Sequence, residues 1–176
     1  MIAGEAGSVP LIGPPSGVRP TTERVREVFF SSLADRVTDR PFVDLYAGSG
    51  AMGIEALSRG ASCCLFVEQR AACVKVIREN LAKTGLADCG EVWHQDVAKV
   101  LGRVVSWLRG EAGIVFADPP YAYKLAGKVI SQLITAELPA GTIVVVEHSA
   151  REAHSALPVP TWRRKIGETY LSRWEA

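Results

Sequence analysis

A glycine-rich loop and a downstream acid are the residues whose types and spacing most directly suggest chemistry. The segment Asp44-Leu45-Tyr46-Ala47-Gly48-Ser49-Gly50-Ala51-Met52-Gly53 carries a GxGxxG pattern where an apolar strand gives way to a helix. Glycines let the backbone turn tightly and approach a ligand, and the N–H groups of a helix N-terminus favour an anionic group. Glu68 follows Gly48 by 20 residues and ends the next predicted strand, where a carboxylate can bind two ribose hydroxyls. The pattern therefore predicts a nucleoside-type cofactor.

Two cofactors suit this loop, a nicotinamide dinucleotide and S-adenosylmethionine, and Asp44 favours the second. A carboxylate just before the loop would repel a pyrophosphate, whereas it would attract the ammonium and the sulfonium of S-adenosylmethionine. After the third predicted strand, Asp96 could accept a hydrogen bond from an adenine amino group, or it could cap the helix that follows. The candidate cofactor-binding residues are Asp44, Tyr46, Ala47, Gly48, Ser49, Gly50, Glu68, Gln69, Asp96, Val97 and Asp118.

The segment Asp118-Pro119-Pro120-Tyr121 follows the fourth predicted strand, at the edge of the sheet where open α/β folds bind ligands. Two prolines fix φ at successive residues and remove two N–H donors, so the segment is rigid and presents carbonyl oxygens. Asp118 and the Pro119 carbonyl can accept the two hydrogens of an exocyclic amino group, and Tyr121 can stack on the base that carries it. The candidate catalytic residues are Asp118, Pro119, Pro120 and Tyr121.

The physical demand that this segment meets is specific to amino groups on bases. Such a nitrogen is a poor nucleophile, because its lone pair is drawn into the ring. Two acceptors that hold its hydrogens favour a pyramidal nitrogen and aim the lone pair at an incoming methyl carbon. No covalent nucleophile is needed, in agreement with the lack of a Cys or Ser placed for that role. We therefore predict amino-group methylation.

The elements that must position these residues alternate between strands and helices. Predicted strands cover 42–46, 63–68, 91–94, 114–118 and 142–148, and predicted helices cover 22–34, 51–58, 70–83, 96–108 and 124–135. Five β/α repeats predict a parallel, doubly wound sheet, and two short strands around Gly167 predict a closing antiparallel hairpin. The expected fold is α/β with a seven-stranded, mostly parallel sheet. Residues 1–20 are expected to form a Gly/Pro-rich arm, and residues 21–176 the domain.

Composition excludes several other classes of protein. The chain has 176 residues, 48% of them hydrophobic, which fits one globular domain and argues against disorder or a coiled coil. No apolar run approaches the roughly 20 residues that span a bilayer, and no signal peptide is evident. Four cysteines without a CxxC pattern predict neither a disulfide framework nor a metal site, so we expect a cytoplasmic protein without a metal ion.

Together these motifs resemble those of the RsmD-type bacterial family, which methylates the N2 amino group of a guanine in 16S ribosomal RNA. The matching segments are Arg19-Pro20-Thr21-Thr22-Glu23-Arg24-Val25-Arg26-Glu27, residues 44–50, residues 53–60, Glu68 and residues 118–121. The resemblance implies a Rossmann-like class I methyltransferase fold that uses S-adenosylmethionine. It further implies that Glu68 holds the cofactor ribose, Asp96 the adenine, and Asp118 with Tyr121 the target guanine.

RNA binding must come from a local positive patch, because the net charge is only +1. One candidate cluster is Arg19, Arg24 and Arg26, and the other is Arg163, Arg164 and Lys165 beside Trp162. The first cluster could equally form a salt-bridged solvent face, and the second could protect an edge strand. We favour the first, because the resemblance includes it. The predicted RNA-binding residues are Arg19, Thr21, Thr22, Arg24 and Arg26.

The partner implied is 16S ribosomal RNA within the small ribosomal subunit or an assembly intermediate, bound by a monomer without a membrane. Family members typically open with an arginine-containing arm, whereas residues 4–11 contain no arginine. Segments like Asp118–Tyr121 also serve methylation of DNA adenine or cytosine and of protein glutamine, so these substrates remain alternatives. A nicotinamide-dependent oxidoreductase and a noncatalytic RNA-binding module are alternatives of other classes.

Overall fold

The computed structural model describes residues 7, 9–120, 125–149 and 158–176. Five α-helices occur in these ranges, α1 to α5 in chain order: Glu23–Leu33, Ala51–Ser58, Ala71–Thr84, Val97–Trp107 and Leu125–Thr135. Seven strands, β1 to β7, form one sheet: Pro41–Leu45, Cys63–Glu68, Gly90–His94, Ile114–Ala117, Ile143–Ser149, Trp162–Ile166 and Thr169–Glu175. The elements agree with the sequence-based bounds to within about two residues, and residue 124 lies outside the described part.

The sheet has the order β3-β2-β1-β4-β5-β7-β6. Strands β1 to β5 run parallel, whereas β7 is antiparallel to both β5 and β6. The predicted α/β fold with a C-terminal antiparallel hairpin is therefore confirmed. The chain winds outward from β1 to β3 and then returns to place β4 on the other side of β1. This reversal opens a crevice at the carboxyl ends of β1 and β4, where such sheets bind ligands.

Apolar side chains cover both faces of the sheet, because successive residues of a strand point to opposite faces. On one face, Phe42 and Phe116 pack with Phe29 of α1, and α2 and α3 complete that layer. On the other face, Val43 and Val115 pack against α4 and α5. Two filled layers hold the strand ends, and with them the loops that follow, in fixed positions.

Local sequence signals explain where several helices begin and end. The Thr22 hydroxyl accepts a hydrogen bond from the Val25 N–H at 3.3 Å and caps α1. Gly85, with φ of 73°, ends α3 as predicted. Two short 3₁₀ helices, Ala34–Val37 and Ala87–Cys89, were not predicted from the sequence.

The described part of the N-terminal arm, residues 9–20, contains neither a helix nor a strand. It is held to α3 by Asn80, whose side chain accepts from the Ile12 N–H at 2.8 Å and donates to the Ile12 carbonyl at 2.9 Å. The buried Asn80 amide also donates to the Ser49 carbonyl at 3.0 Å. The arm is thereby fastened to the glycine-rich loop. No helix in the described ranges combines the length and apolar character that crossing a membrane requires.

Candidate active site

A cavity of about 440 Å³ lies at the carboxyl ends of β1 and β4, and we call it the glycine-loop cavity. Its walls come from the loop after β1, the end of β2, the residues after β4 and the N-terminal arm. Its lining residues include Gly17, Val18, Arg19, Thr21, Asp44, Tyr46, Ala47, Gly48, Ser49, Glu68, Gln69, Arg70, Phe116, Asp118, Pro119 and Pro120. Most of the residues that the sequence proposed as a cofactor site therefore line one space.

Asp44 contributes a buried carboxyl group to this cavity. Its Oδ2 accepts a hydrogen bond from the Gly53 N–H at 3.0 Å, which ties the end of β1 to the first turn of α2. Burial raises the pKa of Asp44 to about 8, and the nearby charge of Glu68 adds to the increase, although the Gly53 bond opposes it. A cation bound in the cavity would favour the ionised form of Asp44 and so lower its pKa.

Glu68 fastens the loop through both of its carboxylate oxygens. Oε2 accepts from the Gly48 N–H at 2.9 Å, and Oε1 accepts from the Arg70 N–H at 2.8 Å. A carboxylate has about four acceptor positions, so each oxygen keeps capacity for another donor facing the cavity. Glu68 is thus compatible with a diol in addition to its role in shaping the loop.

Backbone conformation and close packing explain why the loop needs its glycines. Gly48 and Gly50 have φ of 57° and 78°, a region that favours glycine, and Tyr46 between the strand and the loop has φ of 61°. At Gly53, an added Cβ would lie 2.3 Å from a ring carbon of Phe66 and 2.6 Å from Cys64 Sγ. Gly53 therefore lets α2 approach β2 closely, which is the role of the third glycine in such loops.

Asp118 stands where the glycine-loop cavity meets a second cavity of about 270 Å³. We call the second space the α1–hairpin cavity, because α1 and the β6–β7 turn form its walls. Its lining residues are Arg19, Pro20, Thr22, Arg24, Val25, Asp118, Glu147, Ile166, Gly167, Glu168 and Thr169. Arg19, Pro20 and Asp118 line both spaces, so the two cavities share one junction.

The surroundings of Asp118 raise its pKa. Burial is the main reason that its pKa lies well above the usual value, and the charges of Glu147 and Asp44 act in the same direction. The Arg19 guanidinium and a hydrogen bond from the Thr21 side chain partly oppose them. A hydrogen-bond donor or a cation at the junction would favour the ionised form of Asp118.

Not every predicted site residue lines a cavity. Asp96 caps α4 by accepting from the Ala98 N–H at 3.0 Å, and Val97 is buried against the sheet; neither is among the residues lining the glycine-loop cavity. Burial is the main reason that the pKa of Tyr46 is raised to about 12, and the charge of the nearby Asp96 adds to the increase. Gly50 is the N-cap of α2 and is not among the residues that line the glycine-loop cavity. Tyr121 lies outside the described residues.

The residues predicted to bind RNA divide into three groups. Arg19 and Arg24 are exposed and line the α1–hairpin cavity, where Thr22 caps α1. Thr21 hydrogen-bonds to Asp118, so it belongs to the junction. Arg26 is buried, and its guanidinium donates to the Thr21 carbonyl at 3.3 Å, so it supports the segment from behind.

The alternative basic cluster lies on β6 at the edge of the sheet. Arg163, Arg164 and Lys165 are exposed there. Arg163 donates to the Ser172 hydroxyl at 3.1 Å and stacks 5.5 Å from the centre of the Tyr170 ring. The strand leads directly into the turn that walls the α1–hairpin cavity.

Sequence reasoning missed two polar residues that build the site. Asn80 occupies a buried position on the apolar side of α3, and a polar residue at such a position was the available signal. Glu147 is buried at the carboxyl end of β5, and the signal was an acid that follows four apolar residues of a central strand. Among the described residues, no group of three or more His, Cys, Asp or Glu side chains is arranged to hold a metal ion.

Comparison with known proteins identifies the family. The profile of the family described as Conserved hypothetical protein 95 matches residues 1–174. The chain belongs to this family. A ribosomal RNA small subunit methyltransferase D of Escherichia coli strain K12 is 38% identical over 118 residues, which cover 66% of this chain and 57% of the relative. The predicted RsmD-type resemblance is thereby confirmed, with an alignment that spans less than two thirds of that relative's length.

Solved structures of similar proteins share the fold over nearly the whole chain. A hypothetical protein of Thermus thermophilus is 32% identical with a TM-score of 0.85, and the match covers 99% of this chain and 97% of that one. An RNA methyltransferase from Salinibacter ruber, solved in complex with S-adenosyl-L-homocysteine, has a TM-score of 0.64 at 21% identity, over 89% of this chain and 93% of that one. At 21% identity, the likeness to the Salinibacter protein concerns the fold alone.

Proposed function

We propose that the protein transfers a methyl group from S-adenosylmethionine to the N2 amino group of a guanine in 16S ribosomal RNA. The observation that carries this proposal is the position of Asp118, which lines both cavities at their junction. A group-transfer enzyme needs a donor site and an acceptor site that meet at one reactive point. The name of the Escherichia coli relative supports the RNA substrate, and the ligand of the Salinibacter protein supports the cofactor.

The residues of the glycine-loop cavity fit S-adenosylmethionine. Asp44 supplies a carboxyl group for the ammonium and sulfonium charges, and Glu68 keeps acceptor capacity for the ribose hydroxyls. Gln69 lines the same cavity, and Asp96 and Val97 at the start of α4 would bind the adenine. When bound, the cofactor supplies an electrophilic methyl group and leaves as S-adenosylhomocysteine.

The residues at the junction would prepare the amino nitrogen for attack. Asp118 and the Pro119 carbonyl accept its two hydrogens, and the rigid Pro119-Pro120 pair keeps these acceptors in place. As the nitrogen forms its bond to carbon, it becomes positive and must lose a proton, which the Asp118 carboxylate can take up. Thr21 and Arg19 hold that carboxylate in position and favour its ionised form.

RNA would approach over the mouth of the α1–hairpin cavity. Arg19 and Arg24 are exposed there for contact with phosphates, Thr22 fixes the start of α1, and Arg26 supports the segment from below. The target guanine must leave its stack to enter, which loops and bulges of RNA permit at low cost. On this proposal the protein acts as a monomer in the cytoplasm, on the small ribosomal subunit or an assembly intermediate.

The test is transfer of a labelled methyl group to 16S ribosomal RNA and to small subunits, both taken from cells that lack the enzyme. We expect label on one guanine, with N2-methylguanosine as the only labelled nucleoside after digestion. Parallel reactions with DNA, with a glutamine-containing protein substrate and without RNA serve as controls. Label in DNA or protein, or label on RNA at another base, would contradict the proposed substrate.

A further inference from the structure

Asp118 directly follows β4, and Glu147 lies on the adjacent strand β5. The register of β4 and β5 pairs Phe116 with Val145 and Ala117 with Val146. The next step of the same register sets position 118 beside position 147. Adjacent strands lie about 4.8 Å apart, so the two acids are separated by roughly one strand spacing.

The two side chains also share one face of the sheet. Phe116 and Val145 belong to the layer beneath α1, and strand alternation places Asp118 and Glu147 on that face. Both line the α1–hairpin cavity, and Glu147 is only 5% exposed. Burial is the largest cause of the raised pKa of Asp118, and the charge of Glu147 is the second largest. The second cause agrees with the proximity of the two acids.

The two acids line this cavity at the end of an otherwise apolar layer. An apolar side chain would suffice to fill the layer, as Val145 does two residues earlier on the same face. Arg19 and Arg24 line the same cavity and make the local field less negative. The pair of acids therefore presents hydrogen-bond acceptors to whatever enters the cavity beside the junction.

We propose that Glu147 is a specificity-determining residue that accepts the N1–H of the target guanine, while Asp118 holds the N2 amino group. This inference rests on the proposed function and adds how the base is recognised. On its Watson–Crick edge guanine carries adjacent N–H donors at N1 and N2, which match two neighbouring carboxyl groups. Adenine and 2-aminopurine present an unprotonated N1, so the Glu147 carboxylate would repel them.

The test compares two synthetic RNAs that carry guanine or 2-aminopurine at the methylated position found in the transfer experiment above. The 2-aminopurine base keeps the exocyclic amino group but lacks the N1–H. The measured quantity is the ratio of kcat/KM for the two RNAs, determined for the wild type, for Glu147→Gln and for the exposed control Glu79→Gln on α3. Comparing ratios between enzymes cancels the different intrinsic reactivities of the bases.

We expect the wild type and Glu79→Gln to prefer guanine equally. Glu147→Gln should lower kcat/KM for the guanine RNA by about 10- to 100-fold, the range of one lost charge-assisted hydrogen bond. Its preference ratio should fall by at least about tenfold, because a glutamine amide can donate to an unprotonated N1. Calorimetric binding of S-adenosylhomocysteine checks that the variant is folded with its cofactor site intact.

The outcomes separate this inference from the proposed function. A Glu147→Gln variant with the wild-type preference ratio contradicts the role of Glu147 and leaves the proposed function standing.

If that variant binds the cofactor product but transfers to neither RNA, the ratio is taken from the binding affinities of the two RNAs. An unchanged binding ratio then overturns the inference, and a reduced one supports it. Failure of the wild type to methylate the guanine RNA contradicts the proposed function and the inference with it.

Discussion

Three acids at the carboxyl edge of the sheet have different surroundings and, on the proposed function, different tasks. Glu68 accepts hydrogen bonds from two backbone N–H groups and shapes the loop. Asp44 is buried, accepts a hydrogen bond from the Gly53 N–H at 3.0 Å, and has its pKa raised to about 8. Asp118 is half-buried, lies near another acid and lines both cavities. Environment, more than residue type, assigns the roles.

The raised pKa of Asp44 predicts that S-adenosylmethionine binding releases a proton. With a pKa of about 8, roughly nine tenths of Asp44 is protonated at pH 7. A bound cation favours the carboxylate, so binding expels the proton and affinity rises with pH, by up to about tenfold per unit between pH 6 and 7.5. Titration calorimetry in buffers of different ionisation enthalpy measures the released proton.

Asp44→Asn is the matched variant for that measurement. It should bind about 10- to 100-fold more weakly at pH 7.5, because an amide offers no charge to the cofactor. It should also release no proton and show a flat affinity over the same pH range. Equal proton release by wild type and variant would show that another group titrates.

Sequence reasoning succeeded for residues whose position follows from a strand end and failed where packing decides the direction of a side chain. The ends of β1, β2 and β4 placed Asp44, Glu68 and Asp118 correctly at one edge. The burial of Arg26 depends on how α1 rotates against the sheet, which the arginine spacing alone does not reveal. Glu147 was overlooked because its cavity forms only when the distant β6–β7 turn closes over it.

At the scale of elements, the junction of β1, its loop and α2 depends on close contact between α2 and β2. Apolar periodicity predicted the helices and strands, and Thr22 and Gly85 mark the start of α1 and the end of α3. The sequence did not predict the 3₁₀ helix Ala34–Val37, which begins at Ala34 with φ of 48°. Short turns of this kind are set by the packing around them more than by local propensity.

Gly53→Ala is predicted to destabilise the fold through this contact. Its Cβ would lie 2.3 Å from the Phe66 ring, and Phe66 is fully buried. Overpacking of this kind costs about 1–3 kcal/mol, and the better helix propensity of alanine offsets part of it. The expected result is a decrease of Tm by roughly 2–10 °C, measured by calorimetric or circular dichroism melting.

Gly102→Ala in α4 is the control for helix propensity. Nothing lies within 4 Å of a Cβ added at Gly102, and that position is exposed. This variant should therefore gain up to about 1 kcal/mol of stability. An increase of Tm in Gly53→Ala similar to that in Gly102→Ala would mean that α2 does not depend on the close approach.

At the scale of the whole molecule, a net charge of +1 conceals an uneven surface around two joined cavities. Arg19 and Arg24 stand at the α1–hairpin cavity, and the basic strand β6 leads to its turn. The topology of the sheet brings the arm, α1 and the C-terminal hairpin to the same edge as the glycine-rich loop. The sequence predicted this edge, but only the folded chain shows two cavities that share Arg19, Pro20 and Asp118.

The central claim is that Asp118 prepares the target amino group and is not required to hold the cofactor. Single-turnover methyl transfer and calorimetric cofactor binding, measured side by side on Asp118→Ala, test it most directly, with Asp35→Ala at the opposite edge of the sheet as a control. We predict that the methyl-transfer rate falls roughly 100- to 1,000-fold, the usual effect of removing one transition-state hydrogen-bonding partner, while the cofactor Kd changes less than about threefold. A variant that binds the cofactor and transfers methyl groups at the wild-type rate would contradict the account.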